Sequence, residues 1–169
     1  TYTSGNSVVK IDIASNSVIE TYEVFTLPQK IIFNNGLIFV SHTYYDASWA
    51  PAYASSIIDI STSIVTSIDH GNAVFYGNDF AVNNGTIYRS YDKGIISFND
   101  NLTLDESSYI GSSNTNSLYA MDINNGMIYL GFSDNISPDD IIILDFDGNQ
   151  LGNYQVGASP GSFAFWTSE

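Results

Sequence analysis

The motif Asn-Asn-Gly, followed each time by a short apolar segment, constrains the fold of this chain more than any other feature. It occurs at Asn34-Asn35-Gly36, Asn83-Asn84-Gly85 and Asn124-Asn125-Gly126. A two-residue type I′ hairpin needs positive φ at both central residues, and Asn followed by Gly tolerates that conformation best. The motif therefore predicts a tight β-hairpin between two strands at each of these places.

A second pattern, a β-branched apolar strand that ends in a polar turn, accompanies the hairpins. Its copies are Val9-Lys10-Ile11-Asp12-Ile13, Ile57-Ile58-Asp59-Ile60, Ile95-Ile96-Ser97-Phe98 and Ile142-Ile143-Leu144-Asp145-Phe146. A further strand follows each turn, and a loop that often contains Gly or Pro leads to one more strand, the last of these at 162–166. The pattern predicts four-stranded repeats at approximately 6–45, 55–92, 93–133 and 139–169. Apolar residues show no sustained helical period, so we expect almost no helix.

Repeats of four short strands are typical of β-propeller blades. We therefore expect one all-β domain over residues 1–169, a β-propeller of about four four-stranded blades. The fourth repeat lacks the strand that should follow its hairpin, and residues 1–5 have the sequence position of that strand. We expect Thr1, Tyr2, Thr3 and Ser4 to complete the last blade, in the same chain or by strand exchange with another. Such pairing would cover sheet edges that are otherwise exposed.

Two segments also carry a resemblance to a known family, namely Asn6-Ser7-Val8-Val9-Lys10-Ile11-Asp12 and Gly126-Met127-Ile128-Tyr129-Leu130. They resemble the YVTN repeats of surface-layer and YncE-like β-propellers, and the resemblance extends over all four repeats. Members of that family commonly have seven blades. The resemblance therefore leaves four forms open: four blades that close alone, two chains in one larger ring, a polymer joined through the N-terminal strand, or part of a longer protein.

Charged side chains are few and mostly acidic, because 18 Asp and Glu residues stand against 4 Lys and Arg, for a net charge of −14. Nucleic acid and anionic membranes attract basic proteins, so neither is an expected partner. No apolar run is long enough for membrane insertion. A surface rich in Asn, Ser, Thr and Tyr favours an extracellular or cell-surface location. The sequons at Asn84, Asn101 and Asn135 are candidate N-glycosylation sites on such a protein.

Acidic loops and histidines are the candidates for metal chemistry. Asp134, Asp139 and Asp140 lie in one loop with Pro138 and are weak candidates for a Ca²⁺ site, with a solvated loop as the alternative. The segment 145–149 lacks the closing Glu of an EF-hand and is interpreted as a turn. His42 is interpreted either as a surface or turn residue or as a ligand in the channel of a propeller enzyme. No cofactor and no catalytic residue is predicted.

The segment from Tyr44 to Tyr53 is the most unusual part of the sequence. It is an insertion of roughly ten residues relative to the other repeats, in a position where loops often carry function. It contains Tyr44, Tyr45, Trp49 and Tyr53. Exposed aromatic side chains at this density are suited to sugar stacking or to a protein contact. The alternative is that the loop packs its rings against its own blade.

These observations favour a non-enzymatic extracellular or cell-surface protein that acts through protein–protein or glycan contacts. Self-association, other surface proteins and glycans are the expected partners, and a structural subunit of a surface layer or filament is one form of this function. The alternative is a small propeller enzyme, a lyase or lactone hydrolase, with a divalent metal in its central channel. It requires His42 or His70 and several carboxylates to converge.

Overall fold

The computed structural model describes residues 5–73, 78–99 and 101–166. These residues form 14 β-strands in four antiparallel sheets and contain no helix, which confirms the all-β prediction. The strands are β1 Ser7–Asp12, β2 Ser17–Glu23, β3 Pro28–Asn34, β4 Leu37–Tyr45, β5 Pro51–Asp59, β6 Ile64–Gly71, β7 Phe80–Asn83, β8 Thr86–Tyr91, β9 Gly94–Phe98, β10 Leu104–Gly111, β11 Ser117–Asn124, β12 Met127–Ser133, β13 Asp139–Leu144 and β14 Gln150–Val156. In this described part of the chain, no helix has the length and hydropathy to cross a bilayer.

The three Asn-Asn-Gly motifs form two-residue hairpins, as the sequence predicts. The flanking residues pair as Asn34 with Leu37, Asn83 with Thr86 and Asn124 with Met127. In each loop the second Asn has a φ near 50° and the Gly a φ of 70° or more: 49° and 82°, 48° and 82°, and 51° and 70°. Positive φ at both central residues defines the type I′ turn, which matches the twist of the adjoining strands.

Three of the sheets are simple four-stranded meanders, β3-β4-β5-β6, β7-β8-β9-β10 and β11-β12-β13-β14, and β1 and β2 form a separate pair. Each meander takes its first two strands from the end of one predicted repeat and its last two from the start of the next. Breaks between sheets fall in the loops after β2, β6 and β10, where the chain leaves one sheet and enters another. The predicted repeats are therefore offset from the sheets by two strands.

The chain divides into two compact units, Thr1–Ala73 and Val74–Glu169, each with its own apolar core. In the first unit, Tyr22, Val24, Val40 and Ile58 are buried between the β1-β2 pair and the β3–β6 meander. In the second unit, the larger core joins the β7–β10 and β11–β14 meanders. Its buried residues are Ala81, Ile95, Leu118, Met121, Ile128, Leu130, Phe132, Ile142 and Leu144. Side chains alternate between strand faces, so each sheet buries one set of apolar residues.

The C-terminal segment differs from its prediction, because residues 157–166 form no strand. Phe163 and Phe165 instead stack on one another and pack on Tyr129 of β12, with ring centroids 6.0 and 4.8 Å from the Tyr129 ring. Ring packing on its own sheet replaces the pairing that was predicted. Residues 1–4 of the predicted closing strand lie outside the described residues. The Gly5 carbonyl accepts a hydrogen bond from the Leu27 N–H at 2.8 Å, beyond the end of the β1-β2 ladder.

Aspartate side chains close the turns that follow the second pattern. The Asp12 carboxylate accepts a hydrogen bond from the Ser15 N–H at 2.8 Å, and Asp59 accepts one from the Ser61 N–H at 2.8 Å. Asp145 accepts bonds from the N–H groups of Asp147 and Asn149, at 3.0 and 2.8 Å. Such Asx turns satisfy backbone donors that would otherwise depend on water. The segment 145–149 is therefore a turn, as predicted.

We expect Gly94→Ala to destabilise the fold, because the β9-β10 ladder leaves no room for a side chain at Gly94. A Cβ atom there would overlap the Ile110 carbonyl oxygen and lie 2.5 Å from the Gly111 Cα. Relief of that overlap requires a backbone shift, which typically costs about 1–3 kcal/mol in the free energy of unfolding. Urea unfolding followed by circular dichroism measures the change.

Gly157→Ala is the matched control, because a Cβ at Gly157 meets no atom within 4 Å. This variant should unfold at the wild-type urea midpoint. Equal midpoints for the two variants would show that the β9-β10 contact at Gly94 is not as close as described.

Candidate functional site

The segment with the unusual aromatic content is the end of the β4-β5 hairpin. Both strands are nine residues long, and they pair continuously from Leu37 with Asp59 to Tyr45 with Pro51. The loop itself spans only residues 46–50. The sequence interpretation of Tyr44–Tyr53 as a loop is therefore wrong at both ends, because cross-strand pairing continues through Tyr44, Tyr45 and Tyr53. We call Tyr45, the loop 46–50 and Pro51 the hairpin tip.

Asp46 holds the loop of the hairpin tip in one conformation. Its Oδ1 accepts hydrogen bonds from the Ser48 N–H at 2.8 Å, the Ser48 hydroxyl at 2.7 Å and the Ala50 N–H at 3.0 Å. Asn72 donates from Nδ2 to Asp46 Oδ2 at 3.2 Å and to the Pro51 carbonyl at 3.0 Å. These bonds, that from the Ser48 hydroxyl most of all, lower the pKa of Asp46 to about 2. A carboxylate with this many donors stabilises the loop in its charged form.

The four aromatic side chains of the segment have different environments. Trp49 is 82% exposed and Tyr45 is 62% exposed, and their ring centroids are 6.3 Å apart at an angle of 44°. Tyr53 is buried. The Tyr44 hydroxyl donates to Asp69 Oδ1 at 2.7 Å, and burial followed by this bond raises the pKa of Tyr44 to about 12. Only Tyr45 and Trp49 are therefore presented for contact, while the other two anchor the hairpin.

Trp49 has a backbone conformation that bulky residues rarely adopt. Its φ is 63°, in the left-handed region, which is uncommon outside Gly, Asn and Asp. The Trp49 N–H donates to the Asp46 carbonyl at 3.0 Å, and the Asp46 N–H donates to the Ala50 carbonyl at 3.0 Å. The loop therefore keeps Trp49 in a strained conformation with its indole in solvent.

Sequence reasoning missed a buried polar network that joins β4 and β5 of the same hairpin. His42 is fully buried in β4, so its interpretation as a surface or turn residue is wrong. Its Nδ1 lies 3.1 Å from the Thr26 carbonyl and its Nε2 lies 2.9 Å from the Ser56 hydroxyl. A carbonyl only accepts, so Nδ1 carries the proton in this arrangement. No motif at the level of sequence marks this network, because its members meet only through cross-strand register.

The second histidine and the metal candidates also have protein partners. His70 Nε2 lies 2.9 Å from the Ser55 hydroxyl. Asp139 Oδ2 accepts from the Ser159 N–H at 2.6 Å, and its Oδ1 accepts from the Asp134 N–H at 3.0 Å. Asp140 Oδ2 is 3.5 Å from Asn114 Nδ2. Within residues 5–73, 78–99 and 101–166, no three His, Asp or Glu side chains are grouped to hold a metal ion.

The three sequon asparagines are exposed, each in a turn or loop. Asn84 is the first loop residue of the β7-β8 hairpin, and Asn135 lies in the loop between β12 and β13. Asn101 Oδ1 accepts from the Thr103 N–H at 3.2 Å and from its hydroxyl at 2.5 Å. All three side chains are accessible, and their glycosylation stays a prediction.

No family model and no curated protein matches this chain. The resemblance to YVTN repeats therefore stays a prediction. Inference about function rests on the geometry of the hairpin tip.

We expect Asp46→Asn to lower the thermal unfolding midpoint at neutral pH, because the amide has one acceptor oxygen and places a donor opposite Asn72. The pKa of Asp46 is lower in the folded chain than in the unfolded one, so its charged form stabilises the fold above the unfolded value near 3.9. That contribution disappears as the pH falls towards about 2. The difference in unfolding midpoint between wild type and variant should therefore be largest at pH 6 and should disappear near pH 2.

Asp147→Asn is the matched control, because the Asp147 carboxylate accepts no hydrogen bond from the residues that the structure describes. It removes the same charge and should leave the midpoint close to that of the wild type. A gap for Asp46→Asn that does not change with pH would contradict the role assigned to the Asp46 carboxylate.

Proposed function

We propose that this chain is a non-enzymatic extracellular or cell-surface binding protein whose contact surface is the hairpin tip. The observation that carries the proposal is the exposed pair of rings, Tyr45 and Trp49, on a loop fixed by Asp46. A rigid aromatic pair loses little conformational entropy on binding, so most of its contact energy contributes to affinity. Two long paired strands support the loop, which keeps the rings at a set distance from the sheet.

A glycan is the ligand that the chemistry of the tip supports best. Sugar rings have apolar C–H faces that stack on exposed indole and phenol rings, and their hydroxyls bond to nearby polar groups. The net charge of −14 disfavours acidic polysaccharides, so we propose an uncharged glycan. A protein partner is the competing occupant, because Trp and Tyr are also the residues that dominate protein interfaces.

The proposal includes an assembly. We propose that the sheets are blades of a four-bladed β-propeller and that Thr1–Ser4 supply a further strand to the two-stranded β1-β2 sheet, in the same chain or in a neighbouring one. Three meanders with the same strand order support the blade interpretation. Exchange of the closing strand would join copies into a surface layer or filament, with the aromatic tips repeated along it. Repetition of a weak site in such an array raises its avidity for a polymeric glycan.

A glycan array tests the binding proposal. Wild-type protein should bind one or more uncharged glycans, and Trp49→Ala should lose about tenfold or more of the affinity, as expected for a central aromatic contact. Trp166→Ala is the matched control, because Trp166 is 87% exposed and lies in the other unit. It should bind as the wild type does.

Absence of wild-type binding to every uncharged glycan would overturn the glycan assignment. Equal losses of glycan affinity for Trp49→Ala and Trp166→Ala would show that the glycan does not bind at the hairpin tip. Both variants should keep the wild-type circular dichroism spectrum, because neither indole is part of a core.

Light scattering after size-exclusion chromatography tests the assembly. We expect the mass to rise with protein concentration, because strand exchange is a bimolecular reaction. A chain without residues 1–4 should remain monomeric, while Trp49→Ala should assemble as the wild type does. A monomer at the highest soluble concentration would remove the assembly from the proposal and leave the binding site unaffected.

A further inference from the structure

An open cleft in the second unit shares no residue with the hairpin tip. It has a volume of about 520 Å³ and lies between the edge strand β10 and the turn that joins β13 to β14. Tyr88, Tyr109 and Phe146 supply its aromatic lining, and Ser107, Asp147 and Gly148 supply polar groups. A volume of this size is within the range of small-molecule sites.

Neighbouring groups hold the three rings of the cleft in place. Tyr88 and Phe146 meet edge to face, with centroids 5.5 Å apart, and both pack on the core of the unit. The Tyr109 ring lies across Gly111, where a Cβ would overlap the Tyr109 hydroxyl oxygen. Tyr109 also meets Tyr91 edge to face at 5.9 Å. The cleft is therefore preformed, and a ligand would not have to order it.

The electrostatic environment of the cleft is negative. Asp147 lines the cleft and is exposed, and its carboxylate accepts no hydrogen bond from the described part of the chain, so it is available to a ligand. Burial, followed by the nearby charge of Asp105, raises the pKa of Tyr88. Burial, followed by the charge of Asp92, likewise raises the pKa of Tyr109. Among the described residues that line the cleft, none is Lys or Arg.

We propose that this cleft binds a small organic ammonium ion, with its alkyl groups against the rings and its charge near Asp147. Aromatic faces carry negative electrostatic potential and attract such cations, and the attraction increases where water is displaced. The carboxylate adds a Coulomb term that a neutral ligand of the same shape cannot use. An anionic ligand would meet Asp147 without a basic residue to offset the repulsion.

Titration with choline, followed by heteronuclear NMR at low ionic strength, tests the proposal. The uncharged isostere 3,3-dimethylbutan-1-ol is the matched ligand, because it has the same shape without the positive charge. We expect choline to bind about tenfold more tightly than the isostere and to shift the amide signals of residues 107–111 and 146–148. Sodium chloride at equal concentration is the control for ionic strength.

Single substitutions measure separately how much the Asp147 charge and the aromatic rings contribute to choline affinity. Asp147→Asn should weaken choline binding by about two- to fivefold, while Glu23→Gln, which removes one exposed charge from the other unit, should not change it. Tyr109→Leu should weaken choline binding to a similar extent. Tyr109→Phe should bind choline as the wild type does, because the ring and not the hydroxyl contacts the ion.

Equal affinity for choline and its isostere, or no shift with choline, would overturn the proposal. So would choline binding that Asp147→Asn and Tyr109→Leu both leave unchanged. These outcomes are independent of the glycan assay, since none of the cleft residues belongs to the hairpin tip.

Discussion

Hydrogen bonding at the turns is the constraint on which the rest of this structure depends. Every four-stranded sheet is a meander, so each strand is joined to its neighbour by a turn that sets the pairing register. Slippage by one residue would move an entire set of apolar side chains from the core to solvent. Positive φ at the Asn-Gly pairs and carboxylates bonded to backbone N–H groups exclude that slippage. Burial of the correct apolar side chains therefore depends on the turns.

Buried polar groups add a second level of register control. His42 and Ser56 lie on adjacent strands at full burial and bond to one another at 2.9 Å. Arg89, the only arginine of the chain, is fully buried in β8, donates to Asn78 Oδ1 at 3.1 Å and lies 5.6 Å from the centre of the Phe80 ring. Breaking a hydrogen bond of a buried polar group leaves that group desolvated and unpaired, which destabilises the fold. An alternative register would break those bonds, which favours a single native arrangement.

The same turn chemistry builds both candidate binding surfaces. At the hairpin tip, Asp46 fixes a loop that holds Trp49 in solvent. At the cleft, the turn closed by Asp145 places Phe146 against the core and leaves the Asp147 carboxylate exposed. Both surfaces present aromatic rings on a protein whose few charged residues are mostly acidic. This combination suits neutral or cationic partners better than anionic ones. Ligand contact at either surface requires little reorganisation of the chain.

The sequence alone determined the all-β class, the three type I′ hairpins and the polar turns after the second pattern, because these depend on local φ preferences and on hydrogen bonds between residues close in the chain. It also located the aromatic segment. Only the tertiary structure decided which of its rings are exposed, since Tyr53 is buried and Tyr44 is tied to Asp69 by pairing across strands. The burial of His42, the packing of 157–166 on Tyr129 and the cleft beside β10 were equally hidden, because each depends on contacts between residues distant in sequence. Side-chain exposure is a property of packing, and no local pattern specifies it.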